Sequence, residues 1–313
     1  MGIIKPARLK PGETIGIISP ASSPEDLTKI NSGVTYLEKL GYRVEVGKNV
    51  GLQEGYLAGS DEMRLNDLHE MFKNKNIRAI FSIRGGYGSG RLLDKIDYKL
   101  IRNNPKIFVG YSDINALQLA FFTKTGLITF AGPMVAVDFH AEVSAFTEEV
   151  FWRTITSNKK VGRLQNPKNE KFYLLNKGRA VGRILGGNLT LLSSLLGTEY
   201  LPNLKGSILL LEDINEVPYR IDRMLNQLRL AKVFKQITGV ILGRFVDCVE
   251  QDPTKKSFTL NEVIDAYFKK LKLPVLYNIK HGHIKDNITI PYGVKSVLNA
   301  TRGYIEIQEN AVL

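Results

Sequence analysis

Residues 106–126 read "KIFVGYSDINALQLAFFTKTG", in which an apolar, β-branched run stops at Gly110-Tyr111-Ser112-Asp113 and a helical pattern begins with no spacer. A short apolar run ending in glycine reads as a buried strand, and the longer stretch closed by Gly126 reads as a helix. The same unit recurs around it. Upstream lie "TIGIISPAS" (14–22), a helical stretch over 24–41, "YRVEVG" (42–47), a glycine-rich loop over 51–60, a helical stretch over 61–74 and "IRAIFSI" (77–83). Downstream comes "LITFAGP" (127–133). Strands alternating with helices predict an α/β fold, a parallel sheet with helices on both faces.

The second half keeps the elements but loses the regularity. "GSILLLED" (206–213), "ITGVILGRF" (237–245) and "LPVLYNIKHGH" (273–283) read as strands, 218–231 and 260–271 as helices, and the tail holds short alternating strands. Between the halves, 153–178 is polar and without helical period, which reads as a linker. The expected organisation is an N-terminal parallel-sheet α/β domain over 1–160 and a C-terminal mixed α/β domain over 161–313. At 313 residues, each part is long enough to bury its own core.

Composition narrows the function. The single cysteine, Cys248, fits a reducing compartment, and the apolar stretch near the N-terminus is too short and interrupted for a signal peptide or membrane span. A cytoplasmic protein without membrane association is expected. The net charge of +12 is spread along the chain, with no basic helix, zinc spacing or RNA-reading aromatic motif, so it favours an anionic small substrate over nucleic acid.

A serine at a strand-to-helix corner has two readings. Ser112 or Asp113 can simply cap the helix, or Ser112 can be a nucleophile presented at the carboxyl edge of the sheet, although the second glycine of G-x-S-x-G is missing. A serine nucleophile needs a base. Of the four histidines, His69 reads as a solvated surface residue and His140 as a surface or core residue, whereas His281 and His283 share a glycine-containing turn after a strand. Metal binding by that H-G-H pair lacks a cysteine or acidic partner cluster. For the orienting acid, Glu212 and Asp213 end a strongly apolar strand and face opposite sides of it. The loop "RGGYGSGR" (84–91) has the backbone freedom an oxyanion hole needs, while Arg91 stands where a dinucleotide fingerprint requires glycine.

Together, "RGGYGSGRLLDKIDY", "FVGYSDINALQL", "GGNLTLLSSLLGT", "LLLEDINEVPYRIDRMLNQL" and "GHIKDNITIPYG" resemble the LD-carboxypeptidase family of serine peptidases, in the family's order and over nearly the whole chain. The resemblance implies a Ser112–His283–Glu212 triad, with His283 and not His281 as base, and an oxyanion hole made by the N–H groups of Gly86 and Asp113. It implies an active site at the domain interface, no metal and no cofactor, and a homodimer. It further implies release of terminal D-alanine from murein tetrapeptides. Microcin C immunity-type peptidase activity is the alternative within the family, and a non-catalytic nucleotide- or sugar-binding protein the alternative outside it. Arg84 and Asn188 are candidate substrate contacts, with Arg91, Arg220 and Arg223 as further cations for the terminal carboxylate.

Overall fold

The computed structural model describes residues 2–167 and 170–313. Five parallel strands, β1 (Thr14–Ile18), β2 (Arg43–Val46), β3 (Ile77–Ser82), β4 (Ile107–Gly110) and β5 (Thr129–Ala131), form the first sheet in the order β5-β4-β3-β1-β2. Helices α1 (Thr28–Lys39), α2 (Asp61–Lys73), α3 (Tyr98–Asn103) and α4 (Asn115–Thr125) connect them. All residues of β1 and β4 are buried, because helices cover both faces of the sheet. The strand order reverses between β1 and β3, so the loops leaving their carboxyl ends diverge and open a crevice there.

After α5 (Ala145–Thr156), the chain builds a second sheet from β6 (Gly162–Leu164), β7 (Tyr173–Asn176), β8 (Arg179–Asn188), β9 (Ile208–Ile214), β10 (Gly239–Val246) and β11 (Val275–Tyr277). Helices α6 (Leu189–Ser194), α7 (Pro218–Leu230) and α8 (Leu260–Phe268) fall between its strands. The middle of this sheet, β8-β9-β10-β11, is parallel, and its carboxyl ends carry Asn188, Glu212 and Arg244. Strands β13 (Lys295–Asn299) and β14 (Tyr304–Ile307) extend it antiparallel.

Two expectations need correction. The stretch 153–178 is not a structureless linker: α5 runs to Thr156, and β6 and β7 form the two outer edges of the second sheet. Residues 168–169 of that stretch lie outside the described residues. The boundary at 160/161 is also crossed by the chain, because β12 (Ile290–Tyr292) pairs antiparallel with β5 and closes the edge of the first sheet. Gly293 N–H then donates to Ile184 O at 2.9 Å, joining β12 to β8.

Helix α4 explains why the two halves hold together. Ala116, Leu117, Gln118, Leu119, Ala120 and Phe121 are consecutive and all buried, so the helix has no solvent face over this stretch. It touches β5 of the first sheet and both β8 and α6 of the second half. The Gln118 amide nitrogen donates there to Gly110 O at 2.9 Å and Phe130 O at 2.8 Å, and Asn115 donates to Gly186 O at 2.9 Å across the junction. One apolar cluster therefore runs from Phe72 and Phe108 through Leu117 and Phe121 to Leu189 and Leu225. Leu117→Ala should cost about 2–5 kcal/mol by leaving a cavity in that shared core. Because the core is shared, a urea melt should shift as one transition rather than split.

Candidate active site

The turn after β4 is tight and strained. Tyr111 is extended, Ser112 has φ +61°, and a short turn over Ser112–Ile114 leads into α4. Left-handed backbone at a serine costs on the order of 1–3 kcal/mol and persists only where its surroundings impose it. Gly110 is part of the imposition, since a Cβ there would lie 2.7 Å from Ile114 Cγ2. Neither Ser112 nor Asp113 caps the helix through its side chain, which removes the capping explanation for the serine.

Asp113 reaches out of its own turn instead. Its buried carboxylate accepts the Ser89 N–H at 2.8 Å, and the Ser89 hydroxyl donates back to Asp113 O. Burial pushes this carboxyl up, while the Ser89 hydrogen bonds favour its charged form. Arg64, fully buried on α2, donates to Pro20 O at 2.7 Å and Gly88 O at 2.8 Å. The serine turn and the glycine loop after β3 are thereby locked to one another. Gly85 packs directly on the serine, for a Cβ there would lie 2.9 Å from Ser112 Oγ. Among the described residues, the N–H groups of Gly86 and Asp113 have no hydrogen-bond acceptor.

Glu212 and His283 come from the second half. His283 Nδ1 lies 2.9 Å from Glu212 Oε2, and Glu212 is only 2% exposed. Glycine makes the approach possible: at Gly282, φ +123°, a Cβ would stand 2.7 Å from that same oxygen. The imidazole ring meets Tyr111, the residue before the serine, edge-on with centroids 5.2 Å apart. Burial works against protonating His283, but the hydrogen bond to Glu212 and the charges of Glu212, Asp213 and Asp138 outweigh it. Its pKa lies above the usual 6.5.

The other expected residues sort themselves by their partners. Asn188 is buried and committed: its amide donates to Asp213 Oδ1 at 3.0 Å and Glu212 Oε1 at 3.3 Å, and its oxygen caps α6 by accepting Leu191 N–H. It holds the acid rather than lining an open cleft. Asp213 accepts from Thr190 N–H and Oγ1, both at 2.9 Å, and burial together with Glu212 pushes it up to about 6. His281 is a core residue whose Nδ1 bonds Ile288 O at 2.8 Å, and burial lowers its pKa. His69 is half-buried rather than solvated, accepting the Asp97 N–H at 3.0 Å. Arg91 is paired with Asp61, Arg220 lies near Glu216 and Arg223 lies over the Tyr219 ring. Arg84, at the mouth of the glycine loop, donates among the described residues only to the Ser23 carbonyl, at 3.1 Å.

Sequence reasoning missed Tyr111 and Asp138. Tyr111 is buried against the imidazole, and Asp138, pushed up to about 6 by burial, faces both. Tyr111 sits inside the serine block, but nothing in the motif pattern marks Asp138. A cleft of about 560 Å³ opens beside them, lined by Tyr111, Asp138, Glu142, Ile214, His283 and Lys285 among others.

A hydroxyl on a strained corner, an imidazole oriented by a buried carboxylate and two unengaged N–H groups are the parts of a serine acyl hydrolase. A family model described as the LD-carboxypeptidase N-terminal domain matches residues 15–132, and one described as the LD-carboxypeptidase C-terminal domain matches residues 181–298. The chain belongs to the LD-carboxypeptidase family. It is 41% identical over 303 residues, 94% of this chain and 91% of the relative, to a probable murein peptide carboxypeptidase of Bacillus subtilis (strain 168). The crystal structure of muramoyltetrapeptide carboxypeptidase from Oxalobacter formigenes is similar with a TM-score of 0.81 at 30% identity, covering 94% of this chain and 97% of that one. MccF in complex with glutamyl sulfamoyl guanosine is similar with a TM-score of 0.89 at 29% identity, covering 99% of each chain.

Two outcomes follow from the geometry. Gly85→Ala should displace the Ser112 side chain and reduce turnover roughly 100-fold or more, measured as kcat with the fold checked by circular dichroism. On the reading of His283 as the base, which must be neutral to act, activity should rise with pH through the raised His283 pKa. Glu212→Gln removes the largest contribution that raises it and leaves burial with the lesser charges of Asp213 and Asp138, so the acidic limb should move to lower pH while kcat falls by roughly 10⁴.

Proposed function

We propose that the protein is a serine carboxypeptidase that releases the terminal D-alanine of murein tetrapeptides by cutting the bond from an L-configured centre to D-alanine. The observation that carries this reading is the 2.9 Å His283–Glu212 pair set against the strained Ser112 turn across the junction of the two halves. Family membership supports it, as does the relative from Bacillus subtilis, named for murein peptides.

In this mechanism, Ser112 Oγ attacks the carbonyl of the L-centre and His283 takes its proton through Nε2. Glu212 accepts from Nδ1–H, which fixes the tautomer and stabilises the imidazolium that forms. Charge develops on the carbonyl oxygen, where the N–H groups of Gly86 and Asp113 receive it. His283 then protonates the departing D-alanine amine, and water, activated by the same imidazole, hydrolyses the acyl-serine. A carboxypeptidase also has to hold a free carboxylate. Arg84 is the cation best placed for this, because its guanidinium stands beside the glycine loop with, among the described residues, one backbone carbonyl as its partner and no carboxylate.

The same machinery would hydrolyse an acyl-sulfamoyl nucleoside, and the likeness to MccF bound to such a compound supports this as a second reading. The murein reading puts the enzyme in the cytoplasm, acting on recycled peptides, and the family resemblance implies a homodimer. Among the described residues, no helix is long and apolar enough to cross a membrane. Purified protein incubated with murein tetrapeptide should release D-alanine, followed by chromatography, and Ser112→Ala should reduce the rate by roughly a millionfold. Faster turnover of an aspartyl-sulfamoyl adenosine in a competition assay would favour the second reading. Undiminished D-alanine release by a folded Ser112→Ala protein would refute both.

A further inference from the structure

The glycine loop needs its Gly86 N–H held toward the reacting carbonyl, and the residues already described do not hold that peptide unit. Asp113 fixes Ser89, and Arg64 fixes Gly88. The grip on residues 85–87 comes from Ser22, in the loop after β1, on the neighbouring strand of the sheet. Its N–H donates to the Gly85 carbonyl at 3.2 Å, and its hydroxyl oxygen accepts the Tyr87 N–H at 3.1 Å. The same hydroxyl donates to Tyr56 O at 2.6 Å, so its proton is already placed and its lone pair is left for Tyr87.

These contacts bracket Gly86. A trans peptide is planar, with its C=O and N–H pointing in opposite directions. Holding the Gly85 oxygen on Ser22 therefore turns the Gly86 N–H away from Ser22. The next N–H, that of Tyr87, is drawn back onto Ser22, and the alternation is accommodated at Gly86 by φ +101°. A Cβ at Gly86 would collide with the Ser22 side chain, whereas one at Gly85 would collide with Ser112. Ser22 and Ser112 thus press on successive residues of the loop. Ser22 itself is 8% exposed, too buried to be a general substrate contact.

We infer that Ser22 is a positioning residue for the oxyanion hole: its N–H holds the Gly85 carbonyl and its hydroxyl oxygen holds the Tyr87 N–H, so that the Gly86 N–H between these two anchors is preorganised for the charge on the attacked carbonyl. This rests on the peptidase reading and adds to it a residue that does no chemistry of its own. Preorganised donors stabilise the transition state because they need no reorientation when charge appears. A donor that is present but free to turn loses part of that advantage.

Ser22→Ala deletes one oxygen and keeps the backbone hydrogen bond to Gly85. It should lower kcat roughly 10- to 100-fold, less than outright loss of a donor, with KM for murein tetrapeptide within about twofold. The affinity of a tripeptide aldehyde, which forms an oxyanion on Ser112, should fall by the same factor as kcat. The acidic limb should stay in place, since Glu212 and not Ser22 sets the His283 pKa. Ser22→Cys, with its weaker acceptor, should lie between the two proteins, and it serves as the test if the alanine variant does not fold. Unchanged kcat and aldehyde affinity in a folded Ser22 variant would overturn the inference, as would a loss confined to KM or to melting temperature. The two readings fail separately: an active Ser112→Ala protein refutes the peptidase, whereas an inactive Ser112→Ala beside a fully active Ser22→Ala refutes only the role of Ser22.

Discussion

The hydrogen bond between His283 and Glu212, both in the second half of the chain, is the contact on which the site depends. Glu212 is taken almost fully out of water at the carboxyl end of β9, a position a carboxylate tolerates only when its oxygens are engaged. Asn188 engages one oxygen and the imidazole the other. The histidine arrives on a turn that has to pass within touching distance of the same carboxylate, and Gly282 is the residue that lets it do so. Close behind, a Cβ at Gly243 would meet His281 O at 2.6 Å and Glu212 Cβ at 3.0 Å. Bulk at either glycine would push His283 away from Glu212.

Placing that pair opposite a serine on another sheet demands a rigid junction, and α4 supplies it. Because the helix that begins at the serine turn is buried on all sides over its first two turns, the turn cannot tilt independently of β8 and α6, which carry Asn188 and brace Asp213. The glycine loop is tied into the same unit by Asp113 and Arg64. Strain at Ser112 is thus borne by a packed core rather than by a loose loop. The electrostatics follow from this burial. The carboxyl groups of Glu212, Asp213 and Asp138 surround one largely buried imidazole, which biases His283 toward its charged form.

How much of this was legible in the sequence depended on how far apart the interacting residues lie. The parallel strands β1, β3 and β4 were readable because burial on both faces makes them apolar at almost every position. Strands β6 and β7 were not: both are sheet edges, β7 has two exposed residues, and their polar neighbours mimic a linker. Strand β12 has three residues and joins a sheet whose other strands end at residue 131, a pairing no local pattern encodes. At the site, Ser112, Glu212 and His283 stood out through their motif blocks. The hydrogen bonds that aim them did not, because Ser22 meets Tyr87 across 65 residues and Asn188 meets Asp213 across 25. Asn188 is a candidate substrate contact in the sequence, yet its amide is bound to Glu212 and Asp213.

The central claim is that Ser112 carries the acyl group during turnover, activated from across the junction. It is tested most directly by quenching the enzyme in acid while it turns over murein tetrapeptide, then measuring intact mass and mapping the modified peptide. The account predicts an adduct of the tripeptidyl mass on the peptide containing Ser112, absent when His283 is replaced by alanine. Steady release of D-alanine with no adduct, or with an adduct on another residue, would contradict it.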